Sequence, residues 1–256
     1  MRFEEIVSKI ESYRESLKQQ EALIEVVDFG AGKPEEKRTK EQMEAGVTLE
    51  IPLCELAKIG VKREKAEVIF KIFNDLSPQK ILELGTCLGF SSSYMAYFAP
   101  NAQIWSIEGS PNVAQIAKEN HQHFNLKNIE VFIGRFDKVL PNLLEKIKLL
   151  DFAFIDGHHN KEATIAYFKQ ILPFMKRGGA LCFLMILLGV VECKRRGKRF
   201  WNPIATQKRK SLARFGKWGH YGYKILRLKK AIFGHKRRNR NCNFKRSREW
   251  RVCGWQ

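Results

Sequence analysis

In the first 60 residues, apolar side chains are spaced as on the buried faces of helices. Over residues 3–17, apolar side chains recur at three- and four-residue steps between charged positions, which predicts an amphipathic helix. Two further helices are predicted over 52–59 and 62–76, and the charged stretch 33–44 that precedes them is predicted to be mobile. The chain should therefore begin with a helical N-terminal extension, residues 1–60.

From residue 80 onward, short apolar runs alternate with amphipathic stretches. The apolar runs predict strands at 81–84, 103–107, 129–133 and 152–155, and one more that starts at Ala180. The stretches between them predict helices at 91–98, 112–124, 137–147 and 161–174. This order predicts an α/β domain over residues 61–183, a Rossmann-like doubly wound and mostly parallel sheet with helices on both faces. In such a sheet, ligands bind beyond the carboxyl ends of the strands.

Charge divides the chain near residue 183. The formal net charge is +19, but 22 of the 46 Lys and Arg residues and only two of the 27 acidic residues lie between 184 and 256. The first 183 residues hold the other 24 basic and 25 acidic residues and are nearly neutral. Four of the five tryptophans also follow residue 183. Residues 184–256 are therefore a basic C-terminal tail of different composition, predicted to be irregular.

Composition also bears on location and cofactors. An apolar content of 44% supports a packed core, and no apolar stretch follows the N-terminus as in a signal peptide. The longest apolar run, residues 180–191, is too short to cross a bilayer, so no membrane association is expected. The six cysteines have no paired spacing, which is typical of reduced thiols in a cytoplasmic protein. His158 and His159 lack a cysteine at zinc spacing, so the sequence does not support a bound divalent metal.

The most informative motif is segment 81–91, Ile-Leu-Glu-Leu-Gly-Thr-Cys-Leu-Gly-Phe-Ser. An apolar strand ends there in a glycine turn, and small hydroxyl residues that can begin a helix follow. Gly85 permits a turn that a Cβ atom would obstruct, Gly89 permits the backbone to approach a ligand, and Glu83 could meet a cationic group. The spacing differs from the three-glycine motif that binds the pyrophosphate of dinucleotides. The motif therefore favours a ligand with an amino acid end and a nucleoside but no phosphate.

Acidic and aromatic residues follow the next two predicted strands. Glu108 comes after the second strand, where its two carboxylate oxygens could hold a ribose diol; alternatively, it caps the helix near Pro111. Phe136 could stack on a flat base, and Asp137 could accept a hydrogen bond from an exocyclic amine. Alternatively, Phe136 belongs to the core and Asp137 caps the next helix.

The fourth predicted strand ends at Asp156, which a glycine and two histidines follow. An acid at the mouth of a parallel sheet is well placed to contact a cofactor or a metal, or to accept a proton. A buried acid at this point can also serve only to bond loop amides. His158 and His159 could each act as a base or ligand, or be solvated residues of a loop.

In the order of these motifs, the chain resembles class I S-adenosylmethionine-dependent methyltransferases. It is most similar to small bacterial methyltransferases that are distantly similar to the catechol O-methyltransferase group. The resemblance extends over residues 20–183 and rests on segments 81–91, 152–159 and 173–182 together with Glu108. The turn at residues 28–32, Asp-Phe-Gly-Ala-Gly, fits the bacterial group as well.

The resemblance implies methyl transfer from S-adenosylmethionine to an oxygen of a small-molecule acceptor. The implied cofactor-binding residues are Glu83, Gly85, Thr86, Gly89, Ser91, Glu108, Phe136 and Asp137. Within this set, the glycine motif would surround the methionine part, the acid at 108 would bind the ribose hydroxyls, and the last two residues would lie near adenine. A base or a metal would deprotonate the acceptor hydroxyl, and Asp156 and His159 are the catalytic candidates.

After residue 183 the chain departs from this family. The family continues its fifth strand into Asp-Asp or Asp-Asn, then a Trp, a Gly-Met and an Ala-Trp, whereas here Leu184 and Met185 follow Phe183. We explain the departure by the hypothesis that one T was lost at codon 183 and the reading frame shifted. Read from the third base of that codon, permitted codons give Phe-Asp-Asp-Ile-x-Trp-Ser-Gly-Gly-Met-Gln-Lys-Ala-Trp-Glu, the missing motif in order. The overlap of the Met185 and Ile186 codons forces the second Asp.

A shifted frame would have structural and functional consequences. It predicts weak or absent catalysis, an exposed apolar run at 180–191 that favours aggregation, and a fifth strand at the edge of the sheet. The rival interpretation is a genuine tail in which basic and aromatic residues interleave to dock RNA, which would make the chain a nucleic-acid-binding protein with or without methyl transfer. A third interpretation is an inactive remnant that keeps the cofactor pocket.

Overall fold

A computed structural model describes residues 1–30, 32, 36, 38–158, 161–185, 190–195 and 198–200. Met1–Lys210 form one compact unit, and the second unit, Ser211–Gln256, lies outside the described residues. The basic tail after residue 200, on which the nucleic-acid interpretation depends, is likewise outside them.

The N-terminal extension contains a two-stranded antiparallel sheet in addition to helices. Its elements are α1 (Phe3–Leu17), β1 (Leu23–Asp28), α2 (Lys40–Ala45), β2 (Val47–Pro52), α3 (Leu53–Leu56) and α4 (Arg63–Leu76). The extension predicted to be helical is therefore helical only in part. β2 alternates apolar and polar residues, and Pro52 both ends β2 and is the N-cap residue of the short helix α3. The stretch predicted to be mobile contains α2; its residues 33–35 and 37 lie outside the described residues.

The predicted fold class, α/β with a mostly parallel sheet, is confirmed. Its strands are β3 (Lys80–Leu84), β4 (Gln103–Glu108), β5 (Ile129–Ile133), β6 (Leu150–Ile155), β7 (Met175–Met185), β8 (Val190–Arg195) and β9 (Lys198–Phe200). Its helices are α5 (Phe90–Phe98), α6 (Pro111–His123), α7 (Phe136–Ile147) and α8 (Lys161–Ile171), and a 3₁₀ turn, Leu172–Phe174, follows α8. The strand order is β5-β4-β3-β6-β7-β8-β9, with the first five strands parallel and the last two antiparallel.

The expectation that the fifth parallel strand forms an edge is wrong. The backbone of β8 pairs with β7 from Leu181 to Met185, so β7 has a neighbour on each side. No helix in the described part of the chain is long and apolar enough to cross a membrane.

The pleat of β3 divides the core into two layers. Ile81 packs on one face with α1, α4 and α5, whereas Leu82 and Leu84 pack on the other face with α7 and α8. The chain leaves β3 towards β4 and leaves β6 towards β7, so neighbouring strands diverge at their carboxyl ends. A crevice opens at such a switch point, and the candidate site lies there.

Candidate functional site

Gly85 is required by the close approach of two strand ends. Its φ is +97°, and a Cβ atom on it would lie 2.6 Å from the Asp156 carbonyl oxygen. The Gly85 N–H donates to Ile107 O at 3.0 Å, which ties the turn to β4 as well. The glycine turn therefore joins the carboxyl ends of β3, β4 and β6.

Gly89 makes room for a histidine. Its φ is +78°, and a Cβ atom on it would lie 2.5 Å from His121 Nε2. The same nitrogen lies 3.2 Å from Gly89 O and 2.9 Å from Ser92 Oγ. Burial lowers the pKa of His121 to about 4, so the ring is neutral at neutral pH. A Cβ atom at position 89 would therefore collide with a side chain of α6, and the approach of a ligand to the Gly89 backbone stays a prediction.

We expect Gly85→Ala to destabilise the protein more than Gly60→Ala. Both glycines have a positive φ, but among the described residues other than its chain neighbours, no atom lies within 4 Å of a Cβ atom on Gly60. Gly60→Ala should therefore cost about 1 kcal/mol, the backbone strain alone. Gly85→Ala should cost about 1–3 kcal/mol more, because the Asp156 backbone must move. Urea unfolding of both variants measures the difference, and equal losses would contradict this explanation of Gly85.

Glu83 is a fully buried carboxyl group beneath α5. Alternation along β3 directs it to the face that α5 covers, opposite to Leu82. Its Oε2 accepts a hydrogen bond from Ser106 Oγ at 2.5 Å, and Ser106 Oγ lies 2.5 Å from Thr86 Oγ1. Burial raises the pKa of Glu83 to about 7, although the hydrogen bond from Ser106 opposes that rise. Near neutral pH, Glu83 is therefore poised between its neutral and charged forms.

Glu108 fastens the glycine turn to the beginning of α6. Its Oε2 accepts from the Cys87 N–H at 2.8 Å, and its Oε1 accepts from the Ser110 N–H at 3.0 Å. Burial raises the pKa of Glu108, while these backbone donors favour the charged form. Ser110 is the N-cap residue of α6, so the capping interpretation holds in part. Each carboxylate oxygen can accept a second hydrogen bond, and ribose binding stays a prediction.

A small cavity lies at the mouth of the crevice and brings Ser91 together with Asp156. Its lining residues are Ile59, Gly60, Gly85, Thr86, Cys87, Leu88, Phe90, Ser91 and Asp156. Asp156 Oδ1 is buried and has no hydrogen-bond partner among the described residues. Burial raises the pKa of Asp156 to about 7. The sequence analysis missed Ile59 and Gly60, because apolar spacing gives no sign that this distant segment reaches the crevice.

Phe136 and Asp137 do not line this cavity. Phe136 is buried in the core, where its ring lies 2.8 Å from the Cβ position of Gly157 and 5.6 Å, between centroids, from the Tyr167 ring. Asp137 accepts hydrogen bonds from Arg135, whose guanidinium lowers the pKa of Asp137. Phe136 therefore belongs to the core, which was the alternative interpretation of this residue. Contact of Phe136 or Asp137 with adenine stays a prediction.

Of the two histidines after β6, the structure describes only His158. His158 has a φ of 67°, and its Nδ1 lies 2.9 Å from Tyr167 Oη. His159 lies outside the described residues, so its catalytic role stays a prediction. Among the described residues, no group of three or more His, Cys, Asp or Glu side chains could hold a metal ion.

A segment of the N-terminal extension also reaches the strand ends. The Phe29 ring lies 2.8 Å from the Cβ position of Gly109, next to Glu108, and 2.8 Å from that of Gly46. The Arg135 guanidinium lies 5.7 Å from the centroid of the same ring. Residues 28–30 thus contact the loop that follows β4, which the sequence alone did not place near the site.

Comparisons with known proteins show which family the chain is similar to. A family model described as a methyltransferase domain matches residues 82–183. Catechol O-methyltransferase from Mycobacterium tuberculosis is 27% identical over 53% of this chain and 61% of its own length; that from Sus scrofa is 30% identical over 47% and 67%. The solved O-methyltransferase from Bacillus cereus, in complex with SAH, is 26% identical over 48% of this chain and 57% of its own, with a TM-score of 0.45. The chain spans less than two thirds of the length of the Mycobacterium relative. Because it also matches a methyltransferase family model and covers 67% of the Sus scrofa relative at 30% identity, it belongs to the class I S-adenosylmethionine-dependent methyltransferase family.

Proposed function

We propose that this chain binds S-adenosylmethionine and transfers its methyl group to an oxygen of a small-molecule acceptor. One observation carries the proposal: two carboxyl groups, the buried Glu83 and the half-buried Glu108, flank a glycine turn at the carboxyl ends of adjacent parallel strands. A third carboxyl group, Asp156, lines the small cavity beside this turn and has an oxygen without a partner among the described residues. Dinucleotides carry a pyrophosphate, which three such acids would repel.

When bound, S-adenosylmethionine would supply a methyl group activated by its sulfonium. The residues of the chain then have two tasks, to hold the donor and to prepare the acceptor. Glu83 is suited to an ammonium group, because a cation would stabilise its charged form in the buried pocket. Glu108 is suited to a diol, because each of its oxygens has a lone pair left. Alignment of the two reactants can lower the barrier by about 7–11 kcal/mol.

Asp156 is the candidate base for the acceptor hydroxyl. The acceptor oxygen would attack the methyl carbon as the carbon–sulfur bond breaks, and the hydroxyl proton would pass to Asp156 Oδ1. A pKa of about 7 lies close to the ambient pH, where a general base is most effective. We include His159 in this proposal as the second catalytic candidate, on the sequence alone.

The register of β6 and β7 supports the proposal that catalysis by this chain is impaired. Ile155 of β6 pairs with Phe183 of β7, so Asp156 and position 184 are level at the same end of the sheet. With the lost T restored, Phe would stand at position 184 and the two acids at positions 185 and 186, directly after the level of Asp156. Met185 and Ile186 stand there instead, and we propose that this chain retains the cofactor pocket but lacks part of the catalytic group.

The six cysteines have no paired spacing, which supports a cytoplasmic location. Two of them, Cys54 and Cys87, are free thiols in the structure. The names of the catechol O-methyltransferase relatives support a small phenolic acceptor. No observation on the described residues favours the nucleic-acid alternative.

Calorimetric titration of the full chain with S-adenosylhomocysteine, the product of the donor, tests the proposal. We expect one site per chain with micromolar affinity, and no heat of binding with ATP at the same concentrations. Absence of binding by folded protein at millimolar ligand, or equal binding of ATP, would contradict the proposed function.

The affinity for S-adenosylhomocysteine should rise with pH through about 7. Below that pH, Glu83 carries a proton that an ammonium group must displace, and each pH unit below the pKa of about 7 should weaken binding up to about tenfold. Titrations between about pH 5.5 and 8 measure this slope. Glu83→Gln should bind weakly at every pH with no slope.

Asp156→Asn is the matched control, because burial also raises the pKa of Asp156 to about 7. This variant should keep the slope if Glu83 is the group that meets the ammonium. A slope that disappears in Asp156→Asn and persists in Glu83→Gln would assign the ammonium to the other acid.

A further inference from the structure

Arg14 is a fully buried cation that the proposed chemistry does not use. It lies on α1, and its side chain is inaccessible to solvent. Its Nη1 donates to Ile59 O at 2.9 Å and to Ala57 O at 3.3 Å, and its Nη2 donates to Val61 O. Its Nε lies 3.1 Å from Glu11 Oε2. One side chain therefore holds three carbonyl groups of the segment Ala57–Val61, called here the wall segment.

The same guanidinium also contacts the opposite side of the cavity. Its central carbon lies 3.9 Å from the centroid of the Phe90 ring, a favourable cation–π distance. Phe90 begins α5 and lines the cavity, and Ile59 and Gly60 of the wall segment line it too. Arg14 thus bridges two walls of one cavity and can set the distance between them.

Packing alone gives a poor account of this arrangement. Removing a guanidinium from water costs several kcal/mol, and well-packed apolar residues often replace buried ion pairs without loss of stability. The apolar face of α1 already docks the helix through four buried residues, Ile6, Val7, Ile10 and Leu17. An arginine adds rigid, directional donors, which match three carbonyl groups that no aliphatic side chain could hold.

We propose that Arg14 is a positioning residue that fixes the wall segment against α5 and so shapes the part of the pocket that takes the amino acid end of the cofactor. This inference rests on the proposed function. Ser91 and Gly85, at the methionine side of the predicted site, line the same cavity as the wall segment. A wall that can move away should therefore weaken binding of the amino acid end and leave binding of the nucleoside unchanged.

Two ligands separate these effects in the full-length protein. S-adenosylhomocysteine has the amino acid end, whereas 5′-methylthioadenosine has the nucleoside and the thioether without it. In Arg14→Met, we expect the affinity for S-adenosylhomocysteine to fall at least about tenfold and that for 5′-methylthioadenosine to change less than about twofold, by calorimetry. Arg14→Lys, which keeps the charge and can hold one carbonyl, should give an intermediate loss.

Arg63→Met is the matched control. Arg63 also links α1 to α4, through a paired hydrogen bond to Glu4, but its side chain is 48% exposed and it does not line the cavity. We expect this variant to bind both ligands as the wild type does. A loss of affinity in Arg63→Met equal to that in Arg14→Met would overturn the inference, because helix docking alone would then explain it.

The remaining outcomes are also decisive. The inference is overturned if folded Arg14→Met binds S-adenosylhomocysteine like the wild type, or loses both ligands equally. If Arg14→Met does not fold, Arg14→Lys decides by the same comparison of the two ligands. A loss of affinity for S-adenosylhomocysteine alone supports the inference, and unchanged affinity for it overturns the inference. A folded wild type that binds neither ligand overturns the proposed function itself, and that result is distinguishable from the others.

Discussion

Insertion of one T into the gene at codon 183 is expected to raise methyl transfer by at least about a hundredfold, the lower end of what a positioned acid or base contributes. The inserted base restores the frame in which Phe-Asp-Asp-Ile follows the fifth parallel strand. Position 184 is level with Asp156 across β6 and β7, and the restored acids at positions 185 and 186 would follow it at the same end of the sheet. Transfer of a labelled methyl group to a panel of phenols, with and without Mg²⁺, measures the gain.

A point variant separates the restored acids from the rest of the restored segment. Met185→Asp combined with Ile186→Asp in the present chain should recover only part of the activity, because the Trp and Gly-Met positions remain altered. The nucleotide sequence around codon 183 tests the frame hypothesis before any protein is made. A neighbouring frame without Asp-Asp-Ile, or with an immediate stop codon, would refute the hypothesis, as would a restored protein that is no more active.

Glu108→Ala is expected to weaken binding of S-adenosylhomocysteine about a hundredfold or more. Two hydrogen bonds from the ribose to a carboxylate contribute about 3 kcal/mol or more together, and the variant also leaves the Cys87 and Ser110 N–H groups without their acceptor. Calorimetry measures the change, and thermal unfolding of the unliganded variant shows how much of it arises from the fold.

Glu119→Ala is the control for Glu108→Ala. Glu119 is an acid of α6 that accepts a hydrogen bond from Gln115 on the exposed surface. Its removal changes the net charge equally and should leave the affinity unchanged. Wild-type affinity in Glu108→Ala would rule out the ribose assignment and leave Glu108 only its structural role in the turn.

The α/β domain could be predicted because its strands are short, apolar and separated by clear helical stretches. β3 to β6 fall within a residue or two of their predicted limits, and β3 ends at the glycine turn. β1 and β2 were missed for a physical reason. They are only partly buried, and residues 29–46 separate them, so neither continuous apolar character nor a tight turn marks the pair.

The acids of the site could be predicted because parallel strands place their carboxyl ends together. Glu83, Glu108 and Asp156 follow from that rule and from the glycine motif. Contacts over long sequence separations could not be predicted. Arg14 meets carbonyl groups 43 to 47 residues away, and Gly89 is adjacent to His121, which follows it by 32 residues. Phe136 is buried because Gly157 leaves space for its ring.

Hydrogen–deuterium exchange of the full chain, with and without saturating S-adenosylhomocysteine, locates the cofactor on the protein. If the cofactor binds in the crevice, exchange should slow at residues 85–91 and 108–110, the glycine turn and the loop after β4, and at the wall segment 57–61. The exposed turn of residues 148–149, at the opposite end of β6, should be unaffected. Unchanged exchange at both the glycine turn and the loop after β4, in folded protein at millimolar ligand, would contradict the assignment of this crevice as the cofactor site.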